Sequence, residues 1–118
     1  MGKFTSNVAE LLDVVATKSS VAINQTAVEI FEWTAPQALI LAEVQVYCTA
    51  TVATASVDVL EAGVSVLSAA ATPTAGTVVK PTISDAAIAS GAAVTVAVTT
   101  NGTGTITDLT VTLRFKPT

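Results

Sequence analysis

Histidine is missing from this 118-residue chain altogether. That excludes Ser–His and Cys–His nucleophile pairs and removes the commonest metal ligand. Cysteine occurs once, at Cys48, so no intramolecular disulfide can form. Cys48 falls on the apolar side of its stretch with no basic neighbour to activate it, which fits a buried small hydrophobe. Charge is scarce: 12% of residues, against about 25% in ordinary soluble domains. The five Lys and Arg are scattered and the net charge is −4, so no basic face is available for nucleic acid or an anionic membrane surface. Mean hydropathy is high at +0.67. Yet the longest uncharged stretches, Ala62 to Val79 and Ala86 to Thr107, are broken by Thr, Ser, Gly or Pro. Neither is a continuous apolar span of about 20 residues, so no membrane-crossing helix is expected. Glu10 and Asp13 interrupt the place where a secretory h-region would sit, and the expectation is assembly in a reducing cytoplasm.

What is abundant is Ala, Val and Thr, together half the chain. Val and Thr are β-branched and suit a pleated, half-buried surface. The length fits one domain with one core. From Ala27 the chain reads as successive strands. Ala27 to Thr34 closes at Ala35-Pro36, and proline suits a strand end. In Ala38 to Ala53 every even position is apolar, while the odd ones include Glu43, Gln45, Thr49 and Thr51. That alternation predicts a strand with one buried face, too long to run without a bend or bulge. Ser56 to Leu60 and Val64 to Ser68 read as a hairpin around Glu61-Ala62-Gly63, with Gly63 at a positive φ. Residues 69–77 read as a flexible loop, and Val78 to Ile83, with Pro81, as a short edge strand. Ala93 to Thr100 and Ile106 to Lys116 read as a final hairpin. A four-residue loop, Asn101 to Gly104, places Val96 opposite Leu109 and Val94 opposite Val111. In the last strand Leu109, Val111, Leu113 and Phe115 face inward. The predicted fold is an all-β antiparallel sandwich, jelly-roll or Greek-key like, over residues 27–118, preceded by a short N-terminal arm over 1–26.

Within that arm, Asn7 to Val15 could form one or two helical turns capped by Ser6 or Asn7. Leu11, Leu12, Val14 and Val15 must be buried somewhere, either on their own domain or on a neighbour. They are the first candidates for partner contact, and Trp33 is the other. The acidic residues sit singly, and Glu29 and Glu32 point to opposite faces if their strand is regular. Glycoside hydrolysis needs two carboxylates facing each other, and Ca²⁺ needs several oxygens together. Neither pattern is present, so no catalytic residue, cofactor or metal site is predicted and the chain is read as a non-enzyme. Trp33 and Tyr47 are the residues that could stack on a sugar, which leaves a carbohydrate-binding or adhesin-like module as a distant alternative. With so few charges to cover its exterior, the chain is expected to work as a homo-oligomer.

The run Ala89-Ser90-Gly91-Ala92-Ala93-Val94-Thr95-Val96, followed by Asn101 to Leu113, resembles the last strands of small β-sandwich proteins from tailed-bacteriophage virions. Phe31-Glu32-Trp33-Thr34-Ala35-Pro36 and the alternating strand after it are similar in character. The resemblance spans about residues 27–118 and is one of composition and strand rhythm. It implies a capsid decoration (cement) protein that bridges capsid subunits, or another virion module such as a tail tube, fibre or connector. It further implies a virion location, a trimer, the major capsid protein as partner, and a terminal arm that grips the shell. No fibrous repeat accompanies it.

Overall fold

The computed structural model describes residues 11–22, 24–51, 54–102 and 105–118. Eight strands, and no helix among the described residues, form two four-stranded antiparallel sheets packed as a β-sandwich. They are β1 (Leu12–Val21), β2 (Val28–Thr34), β3 (Leu39–Tyr47), β4 (Thr54–Glu61), β5 (Val64–Ser65), β6 (Ala87–Ile88), β7 (Ala93–Asn101) and β8 (Ile106–Pro117). One sheet has the order β1-β8-β3-β6 and the other β2-β7-β4-β5. The pairing is nested: β1 with β8, β2 with β7, β3 with β6, β4 with β5. The chain thus behaves as one long hairpin whose halves lie side by side, then roll so that successive pairs alternate between sheets.

The core is made by the inner faces of the central strands. Val111, Leu113 and Phe115 of β8 and Val44 and Val46 of β3 meet Val57 and Val59 of β4 and Val94, Val96 and Val98 of β7. All are β-branched or large side chains at alternate positions, which is why those stretches form strands. β7 is also closed on its outer face. Thr95 and Ala97 lie there between the longer side chains of Glu32 and Leu60 and of Glu29 and Asp58. Small residues flanked in this way lose their water without needing a covering layer.

Four sequence expectations change here. The first concerns the arm. Residues 12–21 are neither helical nor outside the sandwich. They form β1, paired with β8 from Leu12↔Phe115 to Val21↔Ile106. Leu12, Val14 and Ala16 alternate with Asp13, Val15 and Thr17, so a period of two wins over the apolar spacing that resembled a helix. Residues 1–10 of the expected arm lie outside the described residues. The second is the final hairpin. β7 and β8 do not pair, because β7 ends at Asn101 in one sheet and β8 begins at Ile106 in the other. Val96 and Leu109 are both buried, but from opposite sheets. Alternation shows which face is buried, not whether two such faces are neighbours or opposed.

The third is β2. A bulge leaves Ile30 between the pairs Glu29↔Ala97 and Phe31↔Val96. The extra residue turns Glu29 and Glu32 to the same outer face and sends Phe31 and Trp33 inward. The fourth is the phase of the long stretch. β3 shifts register between Leu41 and Glu43, so Leu39 and Leu41 are buried before the bulge and Val44, Val46 and Cys48 after it. The expected bulge is present, and it takes Ile40 and Ala42 off the core face. The β4–β5 hairpin forms around a two-residue turn, with Ala62 at φ 51 and Gly63 at φ 85. Residues 69–77 are irregular yet pinned, since Ala71 and Val57 exchange N–H···O bonds of 2.8 Å. Val78 to Ile83 forms only single bridges, Val46↔Val79 and Leu67↔Ile83.

Candidate functional site

Exposed apolar side chains are concentrated on one element. Leu11 is 53% exposed, Leu12 44% and Val15 50%, and the other two large hydrophobic residues this open among the described residues are Val64 and Val78. Leu11 precedes β1, and Leu12 and Val15 lie in its first half. The strand is the outermost of its sheet, so its far edge has no strand partner among the described residues. The five candidates do not form one patch. Leu12 and Val14 share the inner face with Phe115 and Leu113, whereas Val15 lies on the outer face opposite Thr112. Trp33 joins the inner group through Phe115, their ring centroids 5.1 Å apart and tilted by 34°. Leu12, Val14, Phe115 and Trp33 therefore close the side of the sandwich where β1 faces β2, an open side because both strands are sheet edges.

A charged strip crosses the outer face beside β1. Arg114 on β8 donates from Nε and Nη2 to the two carboxylate oxygens of Asp13 at 2.8 and 3.0 Å. Its Nη1 lies 3.6 Å from Glu43, which also pairs with Lys80 at 3.1 Å and accepts from Gln45. The hydrogen bond from Arg114 holds the Asp13 carboxyl below the usual carboxylate range. Lys80, and then Gln45, do the same for Glu43. The strip fastens β1 to β8 and β3 with charges that are satisfied within the strip.

The other sheet has a different character. Its strands carry Glu29, Glu32, Asp58 and Glu61 and no cation. Two of these carboxylates have structural duties: Asp58 accepts from the Ser65 hydroxyl at 2.6 Å, and Glu61 accepts from the Ala89 N–H at 2.7 Å. No group of three or more His, Cys, Asp or Glu among the described residues could hold a metal ion. Cys48 is fully buried, and desolvation raises its thiol pKa, leaving the thiol in its unreactive form. A shallow groove over β1 and β8 is lined by Thr17, Lys18, Ser19, Asp108, Leu109 and Thr110. Asp108, at φ 52, marks where β8 changes phase between Ile106 and Leu109. Its carboxylate accepts from the Thr49 hydroxyl. This backbone kink has a local structural use.

Trp33 and Tyr47 do not form a sugar-stacking pair. Trp33 points inward from β2, while Tyr47 lies on the outer face of the opposite sheet, paired with Thr110. No helix among the described residues is long and apolar enough to cross a membrane. Compared with family models, curated proteins and solved structures, the chain matches none.

Proposed function

We propose that this chain is a virion structural module, a capsid decoration protein that stabilises a phage head by bridging capsid subunits and contacting copies of itself. The observation that carries the reading is the β1 edge: a long strand with no partner on one side among the described residues, with Leu12 and Val15 on it and Leu11 just before it in solvent. Exposed apolar side chains gathered beside unpaired backbone groups favour protein partners over small molecules. The nested pairing of eight strands supports a jelly-roll reading, an arrangement used by viral capsid and lectin domains. Fold alone does not select between those uses. The surface supports the capsid use over a sugar-binding one, because the one tryptophan packs on Phe115 and stands on a different face from Tyr47.

Such a protein acts by adding buried area between neighbours, at about 25 cal/mol per Å² before association costs. Many copies on one particle make modest single contacts sufficient. Immunogold electron microscopy of the source particle tests the reading, with label expected over the head shell. Label confined to the tail would replace it with a tail or connector role. Absence of the chain from purified particles by mass spectrometry would overturn it.

A further inference from the structure

We infer that the outer edge of β1, which has no strand partner among the described residues, is a self-pairing edge at which two copies join antiparallel about a two-fold axis passing between their Val15 residues. The inference deepens the reading that the chain assembles with copies of itself. The four sheet edges differ in how far they resist pairing. β5 and β6 are two residues long. β2 is bulged at Ile30 and turns Glu29 and Glu32 outward. Short strands, bulges and charges are the means by which sandwiches prevent edge-to-edge pairing. β1 has none of the three in strength. It runs ten residues with no register shift against β8, its ladder skipping only Ser19 opposite Asp108, and its only charges are Asp13 and Lys18. Asp13 is already neutralised by Arg114.

An open edge of N–H and C=O groups selects an extended strand as its occupant. The sequence of β1 selects itself. In a two-fold antiparallel pair, residues directly opposite each other lie on the same face, so the axis must pass through a residue position. With Val15 opposite Val15 of the second copy, Asp13 meets Thr17, Val14 meets Ala16, and Leu12 meets Lys18. The carboxylate gains a hydroxyl donor, and the aliphatic stem of Lys18 covers the exposed Leu12. No like charges oppose each other. Centring on Asp13 or Lys18 instead would place each against its own copy, which is unfavourable. Two-fold pairing yields dimers, so the trimer implied by the family resemblance would draw on a different surface.

The contact is small and belongs to the weak class of interfaces, so sedimentation equilibrium of the full chain is followed from micromolar to millimolar concentration. Wild type is expected at twice the 11.9 kDa chain mass. Val15→Glu and Val15→Lys each set like charges across the axis and are expected to sediment as monomers. Both should keep the wild-type circular dichroism spectrum, and its melting temperature at concentrations low enough for wild type to be monomeric as well, because Val15 is half exposed and on the outer face. Mixed in equal amounts, the two variants are expected to recover the dimer mass as a heterodimer. A monomeric or trimeric wild type, variants that remain dimeric, or a mixture that stays monomeric would each overturn the inference. Immunogold labelling of particles with the same variants reports separately on the decoration reading.

Discussion

Replacing Trp33 with alanine is expected to destabilise the sandwich by about 2–3 kcal/mol, and a measurable part of that loss should depend on Phe115. A fully buried Trp or Phe truncated to Ala costs roughly 3–5 kcal/mol. Trp33 is only half-buried, because it sits on an edge strand, so its cost falls at or below the bottom of that range. Phe115 is fully buried, and its ring is 5.1 Å from that of Trp33 in a tilted arrangement. Such pairs contribute about 0.5–1.5 kcal/mol beyond their area. Phe115→Leu keeps most of the volume and should cost roughly 1–2 kcal/mol while removing the ring. A domain of this length has a total stability of about 6–18 kcal/mol, so all three variants should remain folded and measurable. The assay is urea denaturation of wild type, both single variants and the double variant. Trp33 is the only tryptophan, so unfolding is followed by circular dichroism and not by fluorescence. Coupling of at least 0.5 kcal/mol is expected, above the roughly 0.3–0.5 kcal/mol within which independent sites add. Additive losses, or a Trp33→Ala cost under about 1 kcal/mol, would refute the claim that the indole is structurally committed, and would return it to the list of ligand-facing residues.

Thr100 should separate a hydroxyl from a methyl. Its Oγ1 donates to Ala22 O at 2.7 Å and accepts from the Gln25 N–H at 3.1 Å, at a site only 2% exposed. Thermal denaturation should show Thr100→Val losing about 1–3 kcal/mol and Thr100→Ser only about 1 kcal/mol, and the reverse order would contradict the assignment. Ala62 holds φ 51 before Gly63 in the β4–β5 turn, a conformation that Asn tolerates better. Ala62→Asn is expected to raise stability by about 0.5–1 kcal/mol in the same assay, and a loss would mean that the turn is not strained at this residue. Asp13 and Glu43 are held below the ordinary carboxylate range by their hydrogen bonds to Arg114 and Lys80. A group whose folded pKa is depressed stabilises fully above its unfolded value, and that stabilisation is lost as pH falls through the folded one. Arg114→Met should therefore flatten the acid limb of the melting temperature against pH, most visibly at low salt. Parallel curves for the two proteins would show that the pair contributes nothing.

The parts of the fold that could be read from the sequence are those where one strand carries its own record of burial. Leu109, Val111, Leu113 and Phe115 alternate with polar residues, and all four are buried. The β4–β5 hairpin announced itself through Gly63, because a positive φ at that place has few other solutions. Two kinds of information were out of reach. The first is phase. A single bulged residue, Ile30 or Ala42, reverses which face the following residues take, and nothing in the identity of either residue marks it as the extra one. Glu29 and Glu32 came to share a face for that reason alone. The second is partnership. Val96 and Leu109 each show that they are buried, and neither shows whether the other stands beside it or across the core.

The same distinction governs the candidate surface. Leu11, Leu12, Val14 and Val15 stood out as apolar residues in need of a partner, and their spacing suits a helix face as well as a strand. Pairing with β8 answers half of that need, since Val14 and Ala16 turn toward the core. It leaves Leu11, Leu12 and Val15 in solvent. What makes this remainder informative is position within the sheet, which emerges only when the first strand is laid beside the last. Rolling a nested hairpin puts the outermost pair, β1 and β8, at the side of one sheet, with β8 inside and β1 outside. The first strand of the described residues thus becomes the edge. The other edges are shortened, bulged or acidic, whereas β1 is long, even in register and nearly uncharged. A sequence that blunts three edges and leaves the fourth regular concentrates its capacity for strand pairing there. For a chain with half the usual charge, the proposed pairing of copies rests on that one regular edge.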